Sequence, residues 1–309
     1  MGVEKIMSTK STLWYLNDNN LKYEAVIKCL NEKKFSLNPE HYPDFSLVNK
    51  MQDQTLDLSG SEIRYNLFDY SIASTTGKRI HNQLIVFDQN DQIGFIVDKS
   101  KIGLHFIRAL LGYDSSQKGV VIPAKRDDSF FDGRLFFWII SRIYYDESQI
   151  DFDSDDKNSS LEDASISFNS LDAVKGKTVA SLNTVSTEGS DVIKMLTTLS
   201  FLLESDRLTE VSLAMTYKEH RNLKVELRSG SDLVGVGVDL DSYDGPYREQ
   251  KIDDSVLRCE LLLLTHLDLL PTIQILFNKN NSADENIKKK LAADIVDNMK
   301  SRLNKLGAE

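Results

Sequence analysis

Acidic residues crowd the stretch DFDSDDKNSSLED at 151 to 163, where oxygen ligands for a hard cation would be expected to cluster. Counting Asp151 as the first of twelve positions, Asp153, Asp155, Ser159 and Glu162 fall third, fifth, ninth and twelfth, the places where an EF-hand loop supplies its ligands. The sixth position needs glycine for a sharp turn and holds Asp156; the eighth, normally apolar, holds Asn158. Carboxylates without a fixed turn repel more than they coordinate, so the stretch reads as a solvated linker in preference to a weak cation site.

Other chemistries find little purchase. His41, His81, His105, His220 and His266 are scattered without the spacing of a zinc site, and no GxxxxGK[ST] or GxSxG motif is present. VGVGVD (234 to 239) alternates valine with Gly235 and Gly237, the pattern of a strand with one bare face rather than of a nucleotide cradle. DLDSYDG (239 to 245) has Asp244 where a cation loop needs glycine, and reads as a turn. A metal-dependent nuclease needs converging carboxylates, usually with a lysine beside them, and Glu226 in VELR has no such lysine two residues on. No cofactor is expected.

Basic residues are more suggestive. In the helical pattern after residue 100, Lys101, His105 and Arg108 stand at i, i+4 and i+7, opposite an apolar stripe, and predict a positive ridge. Lys99, Lys118, Lys125, Arg126, Arg134 and Arg142 lie nearby in sequence, and the C-terminal segment adds Lys288, Lys289, Lys290, Lys300, Arg302 and Lys305. Taken singly, each cluster reads as an ordinary solvated face; converging, they would neutralise a phosphate backbone without reading its sequence. Phe130, Phe131, Phe136, Phe137 and Trp138 have the chemistry to stack on bases, but at strand spacing most belong to a core.

The net charge of -10 does not oppose this reading. Eight acids and one base fall between Asp146 and Asp163, a local balance of -7; of the chain's 47 acids and 37 bases, the remainder keeps 39 and 36. A near-neutral body can still carry a basic face.

These residues need elements to position them. With 309 residues, 41% of them apolar, the chain is long enough for two domains, expected at 1–148 and 164–309 on either side of an acidic linker at 149–163. Strands are predicted at 12–16 and 63–73, a hairpin at 82–98, helices over 21–34 and 100–112 with Gly112 as stop, and a long aromatic strand around LFFWIISRIYY. The second half predicts a strand from 164, a helix near 191–205, three strands between 208 and 240, a helix at 253–268 and a short strand TIQILF. A C-terminal amphipathic helix closes the chain, with Ser282 and Glu285 at capping-box spacing and a stripe of Ile287, Leu291, Ile295, Met299, Leu303 and Leu306. The fold class is α+β, two lobes of mostly antiparallel sheet with packed helices. Cys29 and Cys259 stand in apolar patterns and read as buried thiols of a reducing compartment. The start MGVEKIMSTK lacks the apolar core of a signal peptide, and the runs LFFWII and LLLLTHLDLL are shorter than a membrane span; a cytoplasmic protein without direct membrane insertion is expected.

The run NQLIVFDQNDQIGFIVDKSKIGLHFIRALLG (82 to 112), hairpin then helix, resembles the corresponding segment of the RexA-like phage-exclusion proteins. LTEVSLAMTYKEHRNLKVELRSGSDLVGVGVDL (208 to 240), followed by a basic terminal helix, is similar in layout to their second half, and size and two-lobed plan are similar to the KwaB proteins of Kiwa antiphage systems. The resemblance covers about a third of the chain. It implies a non-enzymatic antiviral-defence protein that binds DNA with little sequence preference, as a homodimer and with a partner protein such as a membrane component of the same system. Within the matching segment it would give phosphate-contact roles to Lys99, Lys101 and Arg108. The acidic stretch departs from a basic DNA binder. Alternatives are a protein-interaction or sensor subunit without nucleic acid, favoured by the overall acidity and the amphipathic terminal helix, and, third, a metal-dependent nuclease.

Overall fold

The computed structural model describes the chain except for residues 1–9, 33–36, 39, 41, 74–78, 99–102, 115, 118, 127, 152–164, 179–180, 189–191, 231–232, 251–252, 282–285 and 307–309. It is an α+β protein of two compact units. One comprises Met1–Lys125, Leu233–Gly237 and Ile252–Asp268; the other Arg126–Asp232, Val238–Lys251 and Leu269–Glu309. The division thus falls at residues 125 and 126 rather than at the acidic linker expected at 149–163, and two later segments of the chain return to the first unit.

The first unit is built on antiparallel strands β1 (Ser11–Leu16), β2 (Ser46–Leu58), β3 (Ser61–Ala73), β4 (Arg79–Gln89), β5 (Gln92–Asp98) and β6 (Val121–Pro123). They pair in the order β2-β3-β4-β5-β1, with β6 also on β1, and Ser11 pairs with Val236 of the strand Val234–Asp239, β12 by its place in the chain. Alternation sends successive side chains to opposite faces. Trp14, Phe68, Tyr70, Leu84, Val86, Phe95 and Val97 meet helices α1 (Tyr23–Asn31) and α2 (Gly103–Leu110) through Val26, Leu30, Phe106 and Ile107. Gln83 and Tyr65 bond instead to the helix Asp254–Leu264, α7, on the other face. The β4–β5 hairpin turns on Asn90 and Asp91, both at positive φ, one residue beyond the expected Gln89–Asn90. Gly112, at φ 77, ends α2 where expected.

The second unit pairs β7 (Gln149–Asp151), β8 (Ser165–Thr178), β10 (Ser205–Tyr217) and β11 (His220–Ser229) in the order β11-β10-β8-β7, with β9 (Ser181–Glu188) also on β8. Phe168, Leu171, Leu213, Met215, Val225 and Leu227 bury one face. The predicted strand LFFWIISRIYY is a helix, α4 (Arg134–Tyr144), entered through the short α3 (Asp128–Asp132) and Gly133 at φ 85. Every residue from Leu135 to Ser141 is buried, and Trp138 packs edge-on against Phe168 and Phe277. The predicted strand TIQILF is likewise helical: α7 continues through a π turn, Thr265–Leu269, into α8 (Leu270–Asn281). Residues Asp254–Asn280 have the length and hydropathy of a membrane span, and 78% of their most apolar window is buried inside the fold. Helices α5 (Leu196–Glu204), α6 (Pro246–Glu249) and α9 (Ile287–Leu306) complete this unit. The capping pair Ser282 and Glu285 lies outside the described residues. Cys259 is buried and Cys29 partly so, and they are not joined in a disulfide.

Candidate nucleic-acid interface

The ridge expected on α2 does not form as drawn. Lys99 and Lys101 lie outside the described residues, as do Lys118 and His41. His105 is exposed, but Arg108 is 6% exposed, and its guanidinium donates to the main-chain carbonyl of Asp114, closing the turn after α2. Helical spacing puts Arg108 on the solvent side; the chain returning over the end of α2 buries it. Lys125 is exposed at the end of the first unit, and Arg126, half-buried, opens the second.

The second unit brings two basic clusters together. Helix α9 packs on α4, so that Lys288 Nζ lies 5.3 Å from the centre of the Phe137 ring and Lys290 Nζ lies 5.4 Å from that of Tyr145. Arg134 and Arg142 are eight residues apart on α4, close to the same side of the helix, with Trp138 between them and the Arg142 guanidinium 5.9 Å from its ring. Tyr144 and Tyr145 fasten the pair: the Tyr145 hydroxyl donates to the Asp294 carboxylate, that of Tyr144 donates to the Asp294 carbonyl, and Asn298 donates back to Tyr144. Burial, and then the bond to Asp294, push the Tyr145 hydroxyl pKa up, so it stays a donor. Neither tyrosine stands out in the sequence, because an aromatic run at the end of an expected strand has no reason to face another helix.

Acids accompany the bases. Arg134 pairs with Asp132 at 2.6 Å, Arg142 with Glu147 at 3.0 Å, and Lys288 donates to the Asp206 carbonyl at 3.0 Å. Lys289 is exposed. Of the aromatics considered for stacking, Phe130, Phe136, Phe137 and Trp138 are 4% exposed or less, so these four rings are core. Phe131 is partly exposed.

Polar chemistry also lies beneath α7 in the first unit, where no motif announces it. Arg258 bonds to Asp98 at 2.7 Å and to Gln83 at 2.6 Å, and Asp98 accepts the Gln83 main-chain N–H. The Tyr65 hydroxyl donates to Glu260 at 3.0 Å; the second carboxyl oxygen of Glu260 is buried with no hydrogen-bond partner among the described residues, and burial raises the pKa of the carboxyl. His266 Nε2 and Ser11 Oγ are 3.1 Å apart, superficially a base and a nucleophile. Ser11, however, donates its proton to the Val236 carbonyl, so Nε2 must carry the hydrogen between them, the reverse of what a general base needs. Both side chains are 1% exposed or less, and the pair fastens helix to sheet. Among the described residues no three His, Cys, Asp or Glu side chains gather as a metal site. The acidic positions 152 to 163 lie outside the described residues.

Neither a protein-family model nor a curated protein matches this sequence.

Proposed function

We propose that the protein is a non-catalytic component of antiphage defence that holds duplex DNA by its phosphates through the α4–α9 helix pair. The observation that carries this reading is that the helix bearing Lys288, Lys289 and Lys290 packs on the helix bearing Arg134 and Arg142, more than 140 positions earlier in the chain. Distributed cations of this kind suit a backbone and not base edges. The acids paired to them present little obstacle, since an exposed ion pair contributes about 0–1 kcal/mol and a phosphate can replace the carboxylate. The resemblance to RexA-like and KwaB proteins supplies the defence context and the expectation of a partner protein.

Binding of the purified protein to a random-sequence duplex over a salt series tests it, beside an Arg134→Glu, Lys290→Glu variant. Affinity that falls steeply with salt, with a log-log slope shallower by roughly 0.9 for each contact removed in the variant, and DNA left intact with magnesium, is the expected result. Absence of binding at low salt overturns the proposal and leaves a protein-interaction role. That second reading is favoured by four exposed apolar side chains on α9 and at the start of α5.

A further inference from the structure

Lys177 on β8 and Arg207 on β10 stand directly opposite each other in the second unit's sheet, so their side chains leave the same face with β-carbons about 4.5–5.5 Å apart. Like charges placed directly opposite destabilise a sheet. Among the described residues no carboxylate pairs with either side chain, and Nε of Arg207 is buried without an acceptor. A third cation is rooted beside them. Gly133, at φ 85, turns the chain from α3 into α4 so close to β10 that a β-carbon on it would lie 3.1 Å from the Leu208 carbonyl oxygen and 3.6 Å from Arg207 Cγ. Arg134 is the next residue, and Asp132 accepts from its Nε at 2.6 Å, which leaves both Nη groups to other acceptors. The other acids near this point do not neutralise it. Glu210, the next residue of β10 to pair with β8 beyond Leu208, stands opposite Lys175 and lies 3.7 Å from Arg228 of β11. Asp206, which has no counterpart on β8, is exposed and pairs with neither Lys177 nor Arg207.

We infer that Lys177, Arg207 and Arg134 form a binding site for one doubly charged phosphate, that of a phosphomonoester. The charge count selects this ligand. A phosphodiester brings a single negative charge to two opposed cations and a third beside them. A monoester carries about 1.5–2 at pH 7 and presents three terminal oxygens, so it offsets the repulsion within the pair. The planar fork of Arg207 suits two of those oxygens, and the Lys177 ammonium, a point charge on a flexible stem rooted opposite, reaches the third. Arg134 adds its Nη groups from the side of the sheet where α4 begins. What recognises the ligand is the phosphate and not the group that bears it, so the 5′ end of a nucleic-acid strand and a free nucleotide share the required chemistry. Arg134 belongs also to the DNA interface proposed above, but Lys177 and Arg207 do not, and binding of a monoester requires no duplex.

Two measurements on the full-length protein test it: titration calorimetry with a nucleoside 5′-monophosphate beside the bare nucleoside, and equilibrium binding of one blunt duplex prepared with 5′-phosphate or with 5′-hydroxyl ends. The monophosphate is expected to bind where the nucleoside gives no heat, and the phosphorylated duplex to bind about tenfold tighter than its hydroxyl counterpart. Both preferences are lost in Arg207→Gln and in Lys177→Gln. Thermal melting checks that each variant is folded, and the exposed Lys177 supplies a variant that keeps its fold whatever becomes of the half-buried Arg207. A preference seen only with the free monophosphate assigns the site to a small ligand, and one seen only with the duplex assigns it to a strand end. Absence of both preferences overturns the inference, as does their survival in the two variants. Closed circular duplex, which has no ends, keeps this result apart from the DNA reading. Salt-sensitive binding of the circle without either preference removes the monoester site alone, and a bound monophosphate without binding of the circle removes the DNA interface alone.

Discussion

Glu260 carries a carboxyl into the first unit with the Tyr65 hydroxyl as its hydrogen-bond partner and, among the described residues, no ion pair to it. Burial holds its folded pKa above the ordinary value of 4.5, so the folded state binds the proton more tightly than the unfolded chain. Stability from this group is therefore complete below the ordinary value and lost as pH rises through the raised one. Glu260→Gln keeps an acceptor for Tyr65 and removes the ionisation. Its melting temperature should exceed the parent's at pH 8 and approach it at pH 4.5, by about 2–4 °C for each kcal/mol recovered; a difference that does not change with pH would show that Glu260 titrates alike in the folded and unfolded chain. Arg258 poses the converse case. Removing its charge by Arg258→Met strands Asp98, which is 3% exposed, and should destabilise the protein by about 3–5 kcal/mol, read as a lower midpoint in urea. Neither residue is legible in the sequence, because a buried pairing between β5 and a helix 160 positions later has no local signature. Arg108 is the reverse case: its helical spacing is right, and its exposure is decided by the chain that follows α2.

At the scale of elements, what can be read is what shows periodicity. Helices α1, α2 and α9 each have a wet side and a dry one and lie where helical spacing puts them, and the β4–β5 hairpin, buried on both faces, is read from its two apolar runs and the polar turn between them. Helix α4 and the TIQILF stretch in the first half of α8 read as strands because their apolar and β-branched content outweighs any helical period. A helix buried on all sides has no polar face, so LFFWII offers no period, and its aromatic and β-branched content then argues for a strand. Pro271 lies within the continuous α7–α8 helix just after the π turn, whose changed hydrogen-bond spacing accommodates a residue without an N–H. Strand β2 escapes a reading of the sequence because its edge position and two register shifts leave no clean alternation. The hairpin turn allows a prediction at this scale. Asn90 and Asp91 both sit in the left-handed region, at φ 52 and 63, and Asp91 has a β-carbon to accommodate there. Asp91→Gly should stabilise the protein by several tenths of a kcal/mol and raise its melting temperature slightly, since Asn-Gly is the preferred pair for such a turn. A fall in melting temperature would mean that the Asp91 side chain contributes more than the strain removed.

For the whole molecule, the charge is uneven in a way that composition conceals. The acids between Asp146 and Asp163 hold most of the net charge, while Arg134 and Arg142 stand just before them on α4 and the second unit carries the basic turn of α9. A distant acidic group acts on an approaching polyanion through the solvent, over a screening length of about 10 Å at 0.1 M salt and about 3 Å at 1 M. It needs no fixed contact to do so. Deleting residues 153 to 163 removes five acids and one base without touching a described element. If the α4–α9 pair is the DNA interface, that deletion should raise the association rate with duplex several-fold at about 50 mM salt, leave the dissociation rate nearly unchanged, and give no difference near 1 M, because long-range repulsion acts on encounter and is screened away. A change confined to dissociation would instead mean that the acidic stretch touches the interface itself. Equal rates at every salt would remove it from the electrostatics of binding and place the interface beyond its reach.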